Sequence, residues 1–215
     1  PPAPRNFMAA QAASGGIIAM VGGSVSTQTA GAGQRGLVAT GSGSAFNVSN
    51  ASITIGNTSS ASDLIGASAL LGASIALFQT ALATEGSGNG IGNHGLLASG
   101  AGSTVVVNAG SVGTKGRGSF GAWAQDGGRI SLSNNVLVNT TGIQVAATSV
   151  GSHALYASGS GSHIQGDGIT ATAAGNLANG VRAEGAGATV VLVGSSISTT
   201  GNGNKGPPHP HNAAV

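Results

Sequence analysis

The chain has no cysteine, which excludes disulfide frameworks and thiolate-metal sites and leaves the redox compartment open. Charge is nearly missing too: five acidic and seven cationic side chains make 6% of 215 residues and are scattered along the whole length. The sequence pI of about 9.7 therefore reflects a small difference between small numbers, and no basic patch exists for nucleic acid or anionic lipid. Aromatic residues amount to 3%. Helical repeats built from Ala, Leu, Glu and Lys do not fit a chain dominated by Gly, Ser, Thr and Val. Residues 1–13 (PPAPRNFMAAQAA) lack the cationic start, apolar run and small-residue cleavage site of a secretory signal.

What is present is glycine, 40 residues of it, in a chain that is 40% apolar. Disorder needs low hydrophobicity with high net charge, and here the net charge is +2. Small and β-branched apolar side chains with Gly, Asn and Ser turns suit narrow, closely stacked β layers.

The stacking is visible as an internal repeat. One block returns as GLVATGSGSAFNV from Gly36, GLLASGAGSTVVV from Gly95, GAWAQDGGRISL from Gly121, ALYASGSGSHI from Ala154 and GVRAEGAGATVVL from Gly180. A second block (apolar, small, Thr) follows through Val25, Ile53, Leu82, Val112, Val138, Ile169 and Ile197, at spacings of 28, 29, 30, 26, 31 and 28 residues. Each unit holds short period-two runs separated by corners and cannot close a core alone. Stacked at about 4.8 Å per layer, seven such units make a rod about 35 Å long. The expected fold is all-β, a right-handed parallel β-helix of about seven coils over residues 16–205. Residues 1–15 read as an irregular N-terminal segment and 206–215 as an irregular Pro/His tail.

Residues 64–83 are twenty uncharged residues, long enough to cross a bilayer as a helix. Shifting the later unit back by thirty instead places Ile75 on Val105, Leu77 on Val107 and Leu82 on Val112, so the segment reads as another layer. Membrane insertion is kept as a distant alternative.

The blocks from Gly95, Gly121 and Gly180 resemble passenger domains of pertactin-like autotransporters, surface proteins delivered by type V secretion. The resemblance covers about residues 16–205 by the block register and lies in the repeat type. It implies a parallel β-helix at the bacterial cell surface or released from it, in a family whose members often act as adhesins or virulence factors. A host surface protein or glycan is then the expected partner, with no nucleic acid. It carries over no catalytic residue. Neither a signal sequence nor an outer-membrane barrel is in these residues, so the chain reads as a fragment or truncated passenger. Uncapped solenoid ends would expose strand edges that invite self-association.

The same scaffold also hosts polysaccharide lyases, which cluster acids beside a basic residue, often around Ca²⁺. The candidates here are Asp126, Glu184 and Arg182, which the register puts on one edge, but the weightier reading makes them solvated corner residues. No cofactor or metal is expected: His94 and His153 share a place before the block opening, His163 lies in a strand, and zinc needs three or four convergent ligands. Gly166, Asp167 and Gly168 echo a calcium-binding nonapeptide only once. Thr27, Thr84, Thr114, Thr140 and Thr199 share a column whose hydroxyls can either line a face or satisfy one another. Trp123 and Tyr156 occupy one variable position of adjacent units, either as an outward contact patch with Arg182, Glu184 and Asp126 nearby, or stacked inward.

Overall fold

The structure, a computed structural model, describes residues 7–27, 32–56, 61–86, 91–142 and 151–200. These residues form nineteen strands and no helix. They wind as seven rungs. The first two rungs are β1 (Met8–Ala13), β2 (Ile17–Val21), β3 (Ser24–Thr27), then β4 (Arg35–Thr40), β5 (Ala45–Ser49), β6 (Ser52–Ile55). In rungs three and four the second and third strands run together: β7 (Ile65–Leu70), β8 (Ser74–Thr84), β9 (His94–Ser99), β10 (Thr104–Lys115). Rung five holds β11 (Phe120–Gln125), β12 (Arg129–Ser133) and β13 (Leu137–Thr141). Rung six holds β14 (His153–Ser158), β15 (His163–Asp167) and β16 (Thr170–Ala174), and rung seven β17 (Asn179–Glu184), β18 (Thr189–Val193) and β19 (Ser196–Thr200).

The first strands make one seven-stranded sheet in the order β1-β4-β7-β9-β11-β14-β17, and the rest make a twelve-stranded sheet that bends round the other two faces. Every pairing is parallel and joins equivalent strands of adjacent rungs, which is a parallel β-helix. The thirty-residue shift holds, since Ile75 pairs with Val105, Leu77 with Val107 and Leu82 with Val112. Residues 64–83 are thus parts of two solenoid strands rather than a membrane helix, and no helix of the described residues is long and apolar enough to cross a membrane.

Two sequence expectations need correction, the start of the solenoid and the place of Ile169. The solenoid starts before residue 16, because β1 pairs with β4 from Met8↔Arg35 to Ala13↔Thr40. Residues 201–215, with the expected tail, lie outside the described residues. Ile169 is not in the Val25–Ile197 column: Val138 pairs with Ala171, and Ala171 with Ile197. Ile169 instead fills the space over Gly166, where an added Cβ would come within 2.8 Å of its Cδ1. The threonine column exists, with Ile55 and Ala173 in its two other places. It faces inward, however: Thr84, Thr114 and Thr140 are buried, and their Oγ1 atoms meet no protein hydrogen-bond partner.

The inner side of the first sheet shows why small residues dominate. One inward column is alanine at all seven rungs: Ala12, Ala39, Ala69, Ala98, Ala124, Ala157 and Ala183. The other alternates Ala10, Leu37, Ala67, Leu96, Ala122 and Leu155 before ending on Val181. Leu37, Leu96 and Leu155 are 59 residues apart, and so are Ser44, Ser103 and Ser162. Ser44 and Ser103 accept the N–H of Gly15 and Gly72 in the preceding rung at 3.0 Å, and Ser162 that of Gly127 at 3.2 Å. Each serine also donates to a carbonyl four residues back, those of Thr40, Ser99 and Ser158. The building unit is therefore two rungs, tied by a buried serine and filled by one leucine.

The block-opening glycine answers to close approach. A Cβ on Gly95 would lie 2.4 Å from Val112 Cγ1 and 2.5 Å from the Gly121 carbonyl oxygen, and one on Gly121 would lie 2.4 Å from Val138 Cγ1. Rung six carries Ala154 in this place and Ala171 where the neighbours carry Val138 and Ile197, so a methyl gained on one strand is offset by a smaller partner on the other.

Candidate functional site

The outer side of the first sheet is written differently. Its central column runs Gln11, Val38, Ser68, Leu97, Trp123, Tyr156, Arg182. Trp123 and Tyr156 are partners in register on rungs five and six, with rings 6.2 Å apart and 13° from parallel. Both are half-buried. Of the two orientations open from sequence, the outward one is observed.

A second outer column lies beside it, formed by the residue that precedes each block-opening position. There His94, Phe120 and His153 stack ring on ring, at 4.7 Å and 17° and then 5.3 Å and 5°. The columns lock edge to face: His94 and Phe120 meet Trp123 at 4.9 and 5.2 Å, and Phe120 and His153 meet Tyr156 at 4.8 and 5.5 Å. Phe120, Trp123 and Tyr156 are three of only six Phe, Trp and Tyr residues in the chain, so this is a concentration rather than a scatter. Sequence reasoning noticed that His94 and His153 share a position but missed Phe120 between them. The signal was available, since Phe120 precedes Gly121 as His94 precedes Gly95 and His153 precedes Ala154.

Polar groups close the ladder on rung seven. The Arg182 guanidinium lies 5.4 Å from the Tyr156 ring centroid, and its Nη2 is 2.8 Å from Glu184 Oε2. Tyr156 donates its hydroxyl proton to the same Glu184 oxygen at 2.8 Å, and Trp123 Nε1 donates to Ser158 Oγ at 2.8 Å. Burial, then the bond to Glu184, pushes the Tyr156 phenol up to about 12, so it stays a donor across the physiological range.

Four of the five candidate residues, Trp123, Tyr156, Arg182 and Glu184, thus form one continuous group. Asp126 does not join it. It sits exposed in the neighbouring corner at φ 50°, donates its N–H to the Ser158 carbonyl at 3.0 Å, and lays its carboxylate over Gly159 of the next rung. A groove of about 400 Å³ lies elsewhere, on the outer side of the third face, among Ser52, Thr54, Ala83, Ser111, Asn139 and Thr172. No acid lines it. Among the described residues no group of three or more His, Cys, Asp or Glu is placed to hold a metal ion.

Set against family models, curated proteins and solved structures, the chain matches none of them.

Proposed function

We propose that this chain is a non-catalytic recognition stalk of the autotransporter-passenger kind, an adhesin-like surface or secreted segment whose contact surface is the Trp123–Tyr156 ladder with Arg182 and Glu184. The carrying observation is the contrast across one sheet, where an alanine column repeats seven times inside while the outer column changes at every rung and gathers two aromatic rings and a guanidinium on three adjacent rungs, with the Glu184 carboxylate beside them. Half-exposed aromatic side chains beside arginine are the composition of binding hot spots, and a rod of stacked rungs holds such a patch rigidly at little cost in entropy. The block resemblance to pertactin-like passengers supports the surface setting.

The test is binding of purified chain to cultured epithelial cells by flow cytometry, with and without prior treatment of the cells by glycosidases or protease. Trp123→Ala with Tyr156→Ala is expected to lower binding at least tenfold while far-UV circular dichroism keeps its β signature. Equal binding by wild type and the double variant, or no binding by wild type at tens of micromolar, sinks the proposal. The same preparation offered polygalacturonate and other acidic polysaccharides provides the enzyme comparison: turnover lost in Asp126→Asn or Glu184→Gln would replace the stalk by a lyase-like enzyme.

A further inference from the structure

The imidazoles of His94 and His153 do more than stack. Nδ1 of His94 accepts the N–H of Phe120 at 3.2 Å, and Nδ1 of His153 accepts the N–H of Asn179 at 3.2 Å, each reaching the rung above. A ring nitrogen that accepts carries no proton, so the neutral His94 ring keeps its hydrogen on Nε2, while at His153 both ring nitrogens face donors, the Asn179 N–H at Nδ1 and Arg182 Nη1 at Nε2. Protonating Nδ1 would turn both contacts into two N–H groups facing each other.

The charged surroundings are unwelcoming as well. His94 is faced by Phe120 and Trp123, and beyond Ile65 it feels the guanidinium of Arg35 two rungs away, which is itself paired with Asp63 at 3.1 Å. His153 is faced by Phe120 and Tyr156, while Arg182 Nη1 lies 3.2 Å from its Nε2. Burial first, and the neighbouring arginine second, hold both imidazoles down at about 3 instead of 6.5. At His153, Glu184 and the Ser152 backbone pull the other way without reversing the balance.

We propose that the His94–Phe120–His153 stack is an acid-sensitive seam, whose protonation parts the first strands of rungs four to seven on their outer side and frees the Trp123–Tyr156 ladder. The inner alanine and leucine columns, which hold no titratable group, keep the rungs wound while the seam opens. The sign follows from the lowered values: the closed seam binds fewer protons than the open one, so it is fully favoured above pH 6.5 and loses ground as pH falls from there toward 3. Each histidine shifts the closed-to-open ratio by up to about tenfold per pH unit, and the two together by up to about a hundredfold. The device stands whether or not the ladder binds a partner, because it rests on the stacking and the Nδ1 hydrogen bonds of the two imidazoles.

Trp123 is the chain's one tryptophan, so its emission reports on the seam without a label. Between pH 6.5 and 3 the emission is expected to move to longer wavelength and return on neutralisation, with the far-UV β signal unchanged. His94→Gln with His153→Gln offers amide oxygens that accept the same N–H groups and do not titrate, and it should abolish the shift. Each single variant should roughly halve its steepness. His163→Gln, in the second sheet where His163 Nδ1 lies 2.7 Å from Thr189 Oγ1, should leave it unchanged. Should the double variant fail to fold, imidazole NMR on the wild type decides: values well below 6.5 for His94 and His153 support the seam, and ordinary values overturn it. A shift that persists in a folded double variant, or none before the β signal collapses, also overturns it.

Discussion

The two sides of one sheet obey different rules. Facing inward, Ala12 through Ala183 repeat without exception, because a rung-to-rung distance of about 4.8 Å leaves each side chain its own kind above and below and little room beyond a methyl. Facing away from that core, the same strands run from Gln11 through Val38 and Trp123 to Arg182, with no common size or polarity; the column is covered on rungs two to four, where Val38, Ser68 and Leu97 are buried, and half-buried on rungs five to seven. Invariance inside is a packing requirement, while freedom outside is where a solenoid places whatever it presents. In this chain it places an aromatic ladder.

That contrast can be broken most severely from inside. Leu155→Ala removes the leucine of rung six from a fully buried site and is expected to cost about 2–5 kcal/mol by urea unfolding, whereas Gln125→Ala on the outer side should stay within about 0.5 kcal/mol. Similar costs at the two sites would mean that the inner and outer columns are not distinct.

A smaller effect probes the two-strand exchange. Ala171→Val puts a branched side chain opposite the Ala154 methyl and should destabilise by about 1–3 kcal/mol, and adding Ala154→Gly should recover most of it, because that pair reproduces the Gly121 and Val138 arrangement of rung five. Additive costs in the double-mutant cycle would show that the two positions do not share one space.

The third change runs against intuition. Thr114→Val trades a buried hydroxyl without a protein partner for a methyl of nearly the same volume, so stability should hold or rise by about 1 kcal/mol. A loss of 2 kcal/mol or more, on the scale of a broken buried hydrogen bond, would show that the hydroxyl is bonded after all.

Much of this was legible in the chain. Ile53, Leu82, Val112 and Val138 fall at regular spacing because one rung must return the chain to the same face, and that regularity recovered the pairing of residues 64–83 with rung four. It failed at Ile169, where Gly166 vacates an inward place and a residue three positions on fills it, a substitution in space that spacing does not record. The threonine column was found but left free to face either way. Period-two alternation from inward Val112 already sends Thr114 inward, so that miss came from reading hydroxyls as surface groups. The 59-residue echo is also present in the sequence, hidden because the same block recurs more loosely at every rung.

The candidate site was legible in part. A shared variable position placed Trp123, Tyr156 and Arg182 in one column and the block register placed Gln125 with Glu184 in the next, as observed, where the structure adds Ser158 between them. Asp126 was grouped with them by proximity in sequence. It turns away because the left-handed corner at its own backbone carries the side chain over Gly159 instead.

By itself the sequence determined that this protein stacks. Glycine, small side chains and a period near 29 residues admit few other ways to bury 40% apolar residues with so little charge. Only the tertiary structure decided which small differences matter. Whether a hydroxyl meets solvent or core, whether an alanine may replace a glycine, and whether two histidines become a ladder all depend on what lies 5.3 Å or less away on another rung, and that distance is set by winding rather than by neighbours in the chain.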